Sequence, residues 1–241
     1  MPLGKADFLG KTVLELGCGN ASLLCHVARW NPRIIIGIDL GNSVQGAKRN
    51  VSNQNLQNAF ILQSDLNSFS SRTKFDLVYC IGVLHHLRFP EKGFHSALKF
   101  VKPGGKFHFW VYGKEGNNFV IYFVDPLRKI ASKLPWWLIK FGIALPLATG
   151  LFFFSRLFSK ISKKRLAQFV PLFQYFQWLT KRDFGFHRHV VFDQLVAPKT
   201  DYFPKEMLEN WLKQDESIDP SSIYIIHRNG NSWKFGGSIR I

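Results

Sequence analysis

Residues 12–24, Thr-Val-Leu-Glu-Leu-Gly-Cys-Gly-Asn-Ala-Ser-Leu-Leu, constrain this chain more than any other stretch. Val13, Leu14 and Leu16 make a short apolar run that stops at Gly17-Cys18-Gly19-Asn20. It then passes into apolar residues at helical spacing, Leu23, Leu24, Val27 and Ala28. A buried strand that turns through glycines into a helix is the opening unit of an α/β domain. Glycines at such a turn let backbone approach a ligand, because a Cβ would occupy the ligand's space. The helix start adds N–H groups suited to a carboxylate or another polar group. The same turn also fits a tight strand–helix connection with no ligand.

Two details narrow the ligand. Glu15 places an acid two residues before Gly17, where a cationic amino group would be stabilised. Ser22 stands where a dinucleotide fingerprint has its third glycine. The turn therefore fits an adenosyl ligand with a charged amino-acid tail better than a pyrophosphate. Residues 34–39 are a continuous apolar run closed by Asp39. That acid falls about 20 residues after the glycines, a position from which a carboxylate accepts both hydroxyls of a ribose.

The rest of the first half alternates in kind. The pattern predicts a helix over 41–51, a third strand over 60–66 ending in an acid, and a fourth strand over 75–80 running into 81–87. A helix over 90–101 carries Phe94, Ala97, Leu98 and Val101 on one face. Pro103-Gly104-Gly105 reads as a turn, and residues 106–112 as a fifth strand. Such alternation implies an α/β fold with a doubly wound, mostly parallel sheet. Ligands sit at the carboxyl ends of the strands in these sheets, where Asp39, Asp65 and the 80–86 loop would gather.

Five motifs in this order, Leu-Glu-Leu-Gly-Cys-Gly-Asn, Gly-Ile-Asp, Ser-Asp-Leu, Phe-Asp-Leu-Val-Tyr-Cys-Ile-Gly-Val-Leu-His-His-Leu and Val-Lys-Pro-Gly-Gly, resemble the class I S-adenosylmethionine-dependent methyltransferases. The likeness is to their small-molecule and quinone branch and covers residues 11–112. It implies a seven-stranded Rossmann-like sheet with one reversed strand near the C-terminus. It also implies S-adenosyl-L-methionine as cofactor and S-adenosyl-L-homocysteine as product. Carried over residue by residue, Glu15, Gly17, Cys18 and Gly19 would cradle the methionine part, with Asn20 beside them. Asp39 and Leu40 would hold the ribose, Asp65 and Leu66 the adenine with Ser64 adjoining, and Cys80 and Ile81 the sulfonium neighbourhood. Two features depart from the family. Ala21 replaces a third glycine, and the first strand starts near residue 12, where relatives have a helix upstream that closes over the cofactor.

Composition matters for what surrounds this core. The net charge of +16 is uneven, being +7 over 1–118, +10 over 119–200 and −1 over 201–241. Residues 119–200 are both basic and aromatic, a pairing that suggests an anionic partner, membrane lipid or nucleic acid. Cys18, Cys25 and Cys80 show neither metal spacing nor disulfide density, so a reducing, cytoplasmic setting and no metal are expected. The N-terminus lacks a hydrophobic signal core.

Three segments result: a cofactor-binding core (1–118), a helical, aromatic and basic insertion (119–200), and a C-terminal return (201–241). In the insertion, residues 136–154 approach the roughly 20 apolar residues of a membrane span. Arg128, Lys129 and Lys133 lie on one side, and Arg156, Lys160, Lys163, Lys164 and Arg165 on the other. A buried cap over the substrate, an interfacial hairpin over 136–165 that touches a membrane peripherally, and a true span are the three arrangements open here. In the interfacial reading Phe154, Leu157, Phe158 and Ile161 share a face that Arg156, Lys160 and Lys163 avoid. The aromatic theme continues over 169–178, and Arg182, His187, Arg188 and His189 form a basic cluster read as a solvated face. The return should be a helix over 201–213 and a hairpin whose strands, 223–226 and 233–239, flank Asn229-Gly230-Asn231.

A base is needed only where the acceptor must lose a proton. His85 and His86, after the fourth strand, are the candidates, His86 preferred. The leading function is methyl transfer to a small-molecule or lipid-like acceptor at a membrane surface. An RNA methyltransferase is supported by charge alone. Neither an Asn/Asp-Pro-Pro-Tyr motif nor a Pro-Cys nucleophile is present, so nucleic acid is not the expected partner. A non-catalytic cofactor-binding or membrane-docking protein is the third reading. Sequence leaves the oligomeric state open.

Overall fold

In the computed structural model, residues 3–66, 68–161, 172–197 and 199–241 are described, with backbone alone over 158–161. Seven strands form one sheet: β1 (Thr12–Leu16), β2 (Ile34–Asp39), β3 (Ala59–Gln63), β4 (Phe75–Ile81), β5 (Val101–Tyr112), β6 (Tyr224–Arg228) and β7 (Ser232–Ser238). Their order is β3-β2-β1-β4-β5-β7-β6. β1 runs parallel to β2 and β4, β2 to β3, and β4 to β5. All five residues of β1 are buried, as a central parallel strand covered on both faces requires. β7 is reversed: the Gly104 N–H donates to Ile239 O and the Ile239 N–H to Gly105 O, both at 2.9 Å. Asn229 (φ 52°) and Gly230 (φ 69°) are the central residues of the turn that the Asn231 N–H closes on Arg228 O at 3.2 Å, within the three-residue connection from β6 to β7.

Helices α1 (Ser22–Ala28), α2 (Ser43–Asn53) and α3 (Pro90–Leu98) connect the parallel strands, and α8 (Lys205–Gln214) precedes the hairpin. Between β5 and α8 lie α4 (Asp125–Ala131), α5 (Leu145–Ile161), α6 (Phe173–Leu179) and α7 (Phe184–Val196). Wider, π-helical turns at Val120–Val124 and Leu138–Ala144 lead into α4 and α5.

Some boundaries differ from the sequence expectation. β3 stops at Gln63, so Ser64 and Asp65 lie beyond the strand rather than closing it. Pro103-Gly104-Gly105 is no separate turn but a bulge inside β5, whose pairing with β4 jumps from Phe75–Val101 to Leu77–Lys106. Pairing on both flanks holds the extra residues in the strand. Consequently Val101 opens β5 instead of closing α3. α8 begins at Lys205, since Phe203, ahead of Pro204, is drawn into an extended bridge with Gly113. Lys163, Lys164, Arg165 and residues 169–171, together with the side chains of Phe158, Lys160 and Ile161, fall outside the described residues.

The chain divides into two compact units. The first comprises Met1–Val111, Lys205–Ile226 and Lys234–Ile241. Its core has Val13, Leu24, Ile35, Val44, Leu77 and Tyr79 in one cluster. Elsewhere in this unit Phe94 stacks on Trp211 and meets Phe107 and Phe109 edge-on. At the amino ends of the strands, Asp76 accepts hydrogen bonds from the Thr12 N–H and hydroxyl (2.7 and 2.6 Å) and from Lys102 Nζ (2.8 Å). Burial would raise the Asp76 pKa, but these bonds outweigh it and hold the carboxyl well below the usual range.

The second unit is Tyr112–Pro204 with His227–Trp233. Its small core joins Ala131, Ile139, Ala144 and Leu195. Arg128, 3% exposed, pairs with Asp125 at 2.6 Å and donates through Nε to Gln194 O at 2.6 Å. His187 is also buried, contrary to the solvated reading, with Phe152 against its ring and Nδ1 2.8 Å from Asp183 O.

Candidate active site

β1 and β4 are neighbours although β2 and β3 come between them in sequence, so the strand order reverses at β1 and opens a crevice at the carboxyl ends. A cleft of about 270 Å³ lies there, lined by Gly17, Ile38, Asp39, Leu40, Ser64, Asp65, Leu66, Val83, His86 and Leu87. It draws on the ends of β1, β2 and β3 and on the turn after β4.

Gly17 is indispensable for a reason internal to the protein. Its φ is +73°, and a Cβ there would stand 2.2 Å from Val83 Cγ2. Val83, which the motifs did not single out, thus fills the space the missing side chain leaves. The N–H groups of Gly17 and Cys18 both donate to Ile38 O, at 2.8 and 3.0 Å, tying the turn to β2.

Asp39 is the organiser of the rim. Its Oδ2 accepts from the Gly19 N–H at 2.8 Å, and its Oδ1 from the Gly41 N–H at 2.8 Å and the Ser43 hydroxyl at 3.0 Å. A carboxylate has about four acceptor positions, so three are engaged by the chain itself. Asn20 does not line the cleft: its Oδ1 accepts from the N–H and hydroxyl of Ser22, the first residue of α1. Leu40 is 66% exposed at the cleft edge. The Ser64 N–H donates to Asp39 O at 3.0 Å, which joins the two acidic loops. Leu66 is buried and forms part of the wall.

Other expected residues lie deeper. Glu15 is buried, and one carboxyl oxygen receives the Tyr79 hydroxyl at 2.9 Å. Burial pushes the Glu15 pKa up to about 8, against the opposing pull of the Tyr79 hydrogen bond. The Cys18 side chain is buried beside Gly37, and burial, helped by the nearby acids, pushes its thiol up to about 12. Cys80 is wholly buried in β4, paired between Leu16 and Phe109, its thiol likewise raised by burial. Ile81, the last residue of β4, packs partly buried on the core. None of these four lines the cleft. His85 and His86 form a single 3₁₀ turn with Leu84. His85 is 1% exposed with its ring edge-on to Trp110, whereas His86 lines the cleft. Among the described residues no group of three or more His, Cys, Asp or Glu could hold a metal ion.

The donor set fits an adenosyl group. Asp39 and Asp65 offer acceptors to a ribose diol and an exocyclic amine, both donors, while Ile38, Leu40, Leu66, Val83 and Leu87 offer apolar faces to a base. Accepting both hydroxyls at Asp39 requires one present partner to yield, and the rotatable Ser43 hydroxyl is the cheapest to release.

Comparison with known proteins agrees in kind. Residues 8–115 match the family model for a methyltransferase domain. The ubiquinone biosynthesis O-methyltransferase of Salmonella newport (strain SL254) is 26% identical over 114 residues, 46% of this chain and 47% of its own length. Its counterpart from Klebsiella pneumoniae (strain 342) is 27% identical over the same shares. The chain thus spans about half the length of these curated relatives. An O-methyltransferase family protein from Burkholderia thailandensis superposes with a TM-score of 0.57, covering 99% of this chain and 53% of its own at 12% identity. Magnesium protoporphyrin IX methyltransferase from Synechocystis PCC 6803, solved with bound SAH, gives 0.54 over 98% and 77% at 12% identity. At such identities these two structures speak to the fold.

Proposed function

We propose, from the match of residues 8–115 to a methyltransferase domain, that this chain transfers a methyl group from S-adenosyl-L-methionine to a small-molecule or lipid-like acceptor at a membrane surface. The observation that carries the reading is the cleft at the strand ends, where two carboxylates and an apolar wall face one space. When bound, the cofactor supplies a methyl on a positively charged sulfur, displaced in line with a neutral leaving group. The protein's work is then alignment and exclusion of water. Asp39 orients the sugar, Asp65 with Leu66 the base, and the Gly17–Gly19 turn the amino-acid end, while Glu15 stays buried against Tyr79.

The curated relatives are named as O-methyltransferases, which supports a hydroxyl acceptor. A hydroxyl must lose its proton as it is methylated, and we assign that role to His86 because it lines the cleft. His85, closed in against Trp110, keeps the turn in position.

The test is to incubate the full chain with methyl-labelled S-adenosyl-L-methionine and separate lipid, RNA and small-molecule extracts. Label in the lipid or small-molecule fraction is the expected outcome. Label in RNA overturns the acceptor class. An absence of calorimetric heat with either S-adenosyl-L-methionine or S-adenosyl-L-homocysteine overturns the reading entirely.

A further inference from the structure

In the second unit the helical surface is inverted. Along the helix that runs through Val120–Val124 and α4, six apolar or aromatic residues are exposed besides Asn118 and Lys129: Phe119, Tyr122, Phe123, Pro126, Leu127 and Ile130. Their spacing is that of one helical face. Tyr122 is 72% exposed, and Phe123 and Ile130 67% each. The opposite face buries Arg128 against Asp125 and α7. A helix of a water-soluble surface does the reverse.

The next helix repeats the arrangement. Trp136, Trp137, Phe141, Phe153, Phe154 and Leu157 are exposed, while Ala144, Ala148 and Ser155 are buried. Phe152 packs on His187 of α7. Since both helices bury their inner faces on α7, their apolar faces look away from it.

Cations rim the apolar faces. Lys129 and Lys133 are exposed, and Lys140 lies over the rings of Trp136 and Phe141 at 5.6 and 5.4 Å. Asp125 is the sole acid in residues 119–157, and Arg128 engages it. Exposed aromatics with lysines and no competing carboxylate match a surface that is apolar below and anionic above. That is the headgroup boundary of an anionic bilayer.

We propose that these two helices dock in the plane of an anionic phospholipid bilayer, which gives the membrane-surface part of the function above its residues and orientation. Residues Leu138–Leu157 are long and apolar enough to cross a membrane, but α7 argues for lying flat. Its outer side exposes Arg188, His189 and Asp193, and spanning would draw those groups towards hydrocarbon. Lying flat leaves them in water.

Flotation of the full chain with phosphatidylcholine vesicles, with and without phosphatidylglycerol, tests this. The chain should float with the anionic vesicles and progressively less as salt rises. The triple variant Phe123→Ser, Ile130→Ser, Trp137→Ser changes only exposed positions. It should lower partitioning at least about tenfold with circular dichroism unchanged. Lys129→Gln with Lys133→Gln should erase the preference for anionic lipid. Lipids brominated near the headgroup should quench tryptophan fluorescence more than lipids brominated at the chain ends, and Trp136→Phe with Trp137→Phe should abolish the difference. Flotation indifferent to the triple variant, strongest quenching from the bilayer centre, or a stable vesicle-free dimer that hides these faces would each overturn the proposal. Calorimetry with S-adenosyl-L-homocysteine in the absence of vesicles reads the methyltransferase assignment separately, so either idea can fail alone.

Discussion

Two helices of this chain share an apolar period and are built in opposite senses. α3 turns Phe94, Ala97 and Leu98 into a core of aromatic rings and leaves Glu91 and Lys92 in solvent. The helix over 119–131 turns its rings outward and buries an arginine. Periodicity therefore identifies a face, while its direction is decided by what the other face can satisfy. Arg128 can be buried because Asp125, Gln194 and Tyr202 all meet it.

Removing side chains should expose that contrast most strongly. Phe94→Ala empties a fully buried ring site and should cost about 3–5 kcal/mol in urea unfolding of the first unit. In the second unit the expensive change should be Arg128→Ala, again about 3–5 kcal/mol, because it strands Asp125 and Gln194 O without their charged partner. Phe123→Ser, the loss of an equally large aromatic, should stay within about 0.5 kcal/mol without vesicles. If Phe123→Ser proves as costly as Phe94→Ala, the outward face is covered in solution and the comparison fails.

Asp39→Ala tests whether the first unit's rim serves a ligand. It removes the carboxylate proposed to accept a ribose diol and the link between Gly19, Gly41 and Ser43. Affinity for S-adenosyl-L-homocysteine should fall at least tenfold, about 1.4 kcal/mol, by calorimetry on protein whose unfolding midpoint is checked alongside. Unchanged affinity with an intact fold would remove Asp39 from the cofactor site.

Glu15 sharpens the comparison through pH. Folded Glu15 keeps its proton up to about 8, whereas the unfolded chain releases it near the ordinary value of about 4.3. Between those limits the native state binds more protons, so this group's contribution makes stability fall as pH rises, by at most ~1.4 kcal/mol per pH unit. Glu15→Gln keeps an acceptor for Tyr79 and should flatten the slope between about pH 4.5 and 8.

The core of the fold was legible because its signals are local. A continuous apolar strand, a glycine turn and a closing acid each declare themselves within a few residues, and Gly17, Asp39 and Asp65 do meet at one rim. What escaped depends on contacts distant in sequence. Nothing near Gly17 announces that Val83 fills its missing side chain. Cys18 and Cys80 sit beside functional-looking turns, yet their thiols are buried. His85 and His86 are adjacent in one turn and diverge, one against Trp110 and the other onto the cleft wall. The bulge at Pro103–Gly105 comes from pairing on both sides of β5, which no run of residues encodes alone.

The smallest effect concerns Ala21, where this chain departs from the glycine its motif would favour. Its φ of +62° lies in the left-handed region, and its methyl is fully buried. A Cβ there costs about 1–2 kcal/mol of backbone strain. Ala21→Gly releases that strain but forfeits about 0.8 kcal/mol of methyl burial and adds about 0.4–1 kcal/mol of freedom to the unfolded chain. The contributions nearly cancel, so urea unfolding should shift by less than about 1 kcal/mol in either direction. A gain above about 2 kcal/mol would show that the first unit holds a strained turn at its ligand rim. A loss of that size would mean the methyl is a packing element as firm as Val83, and that alanine here is a working part of the turn.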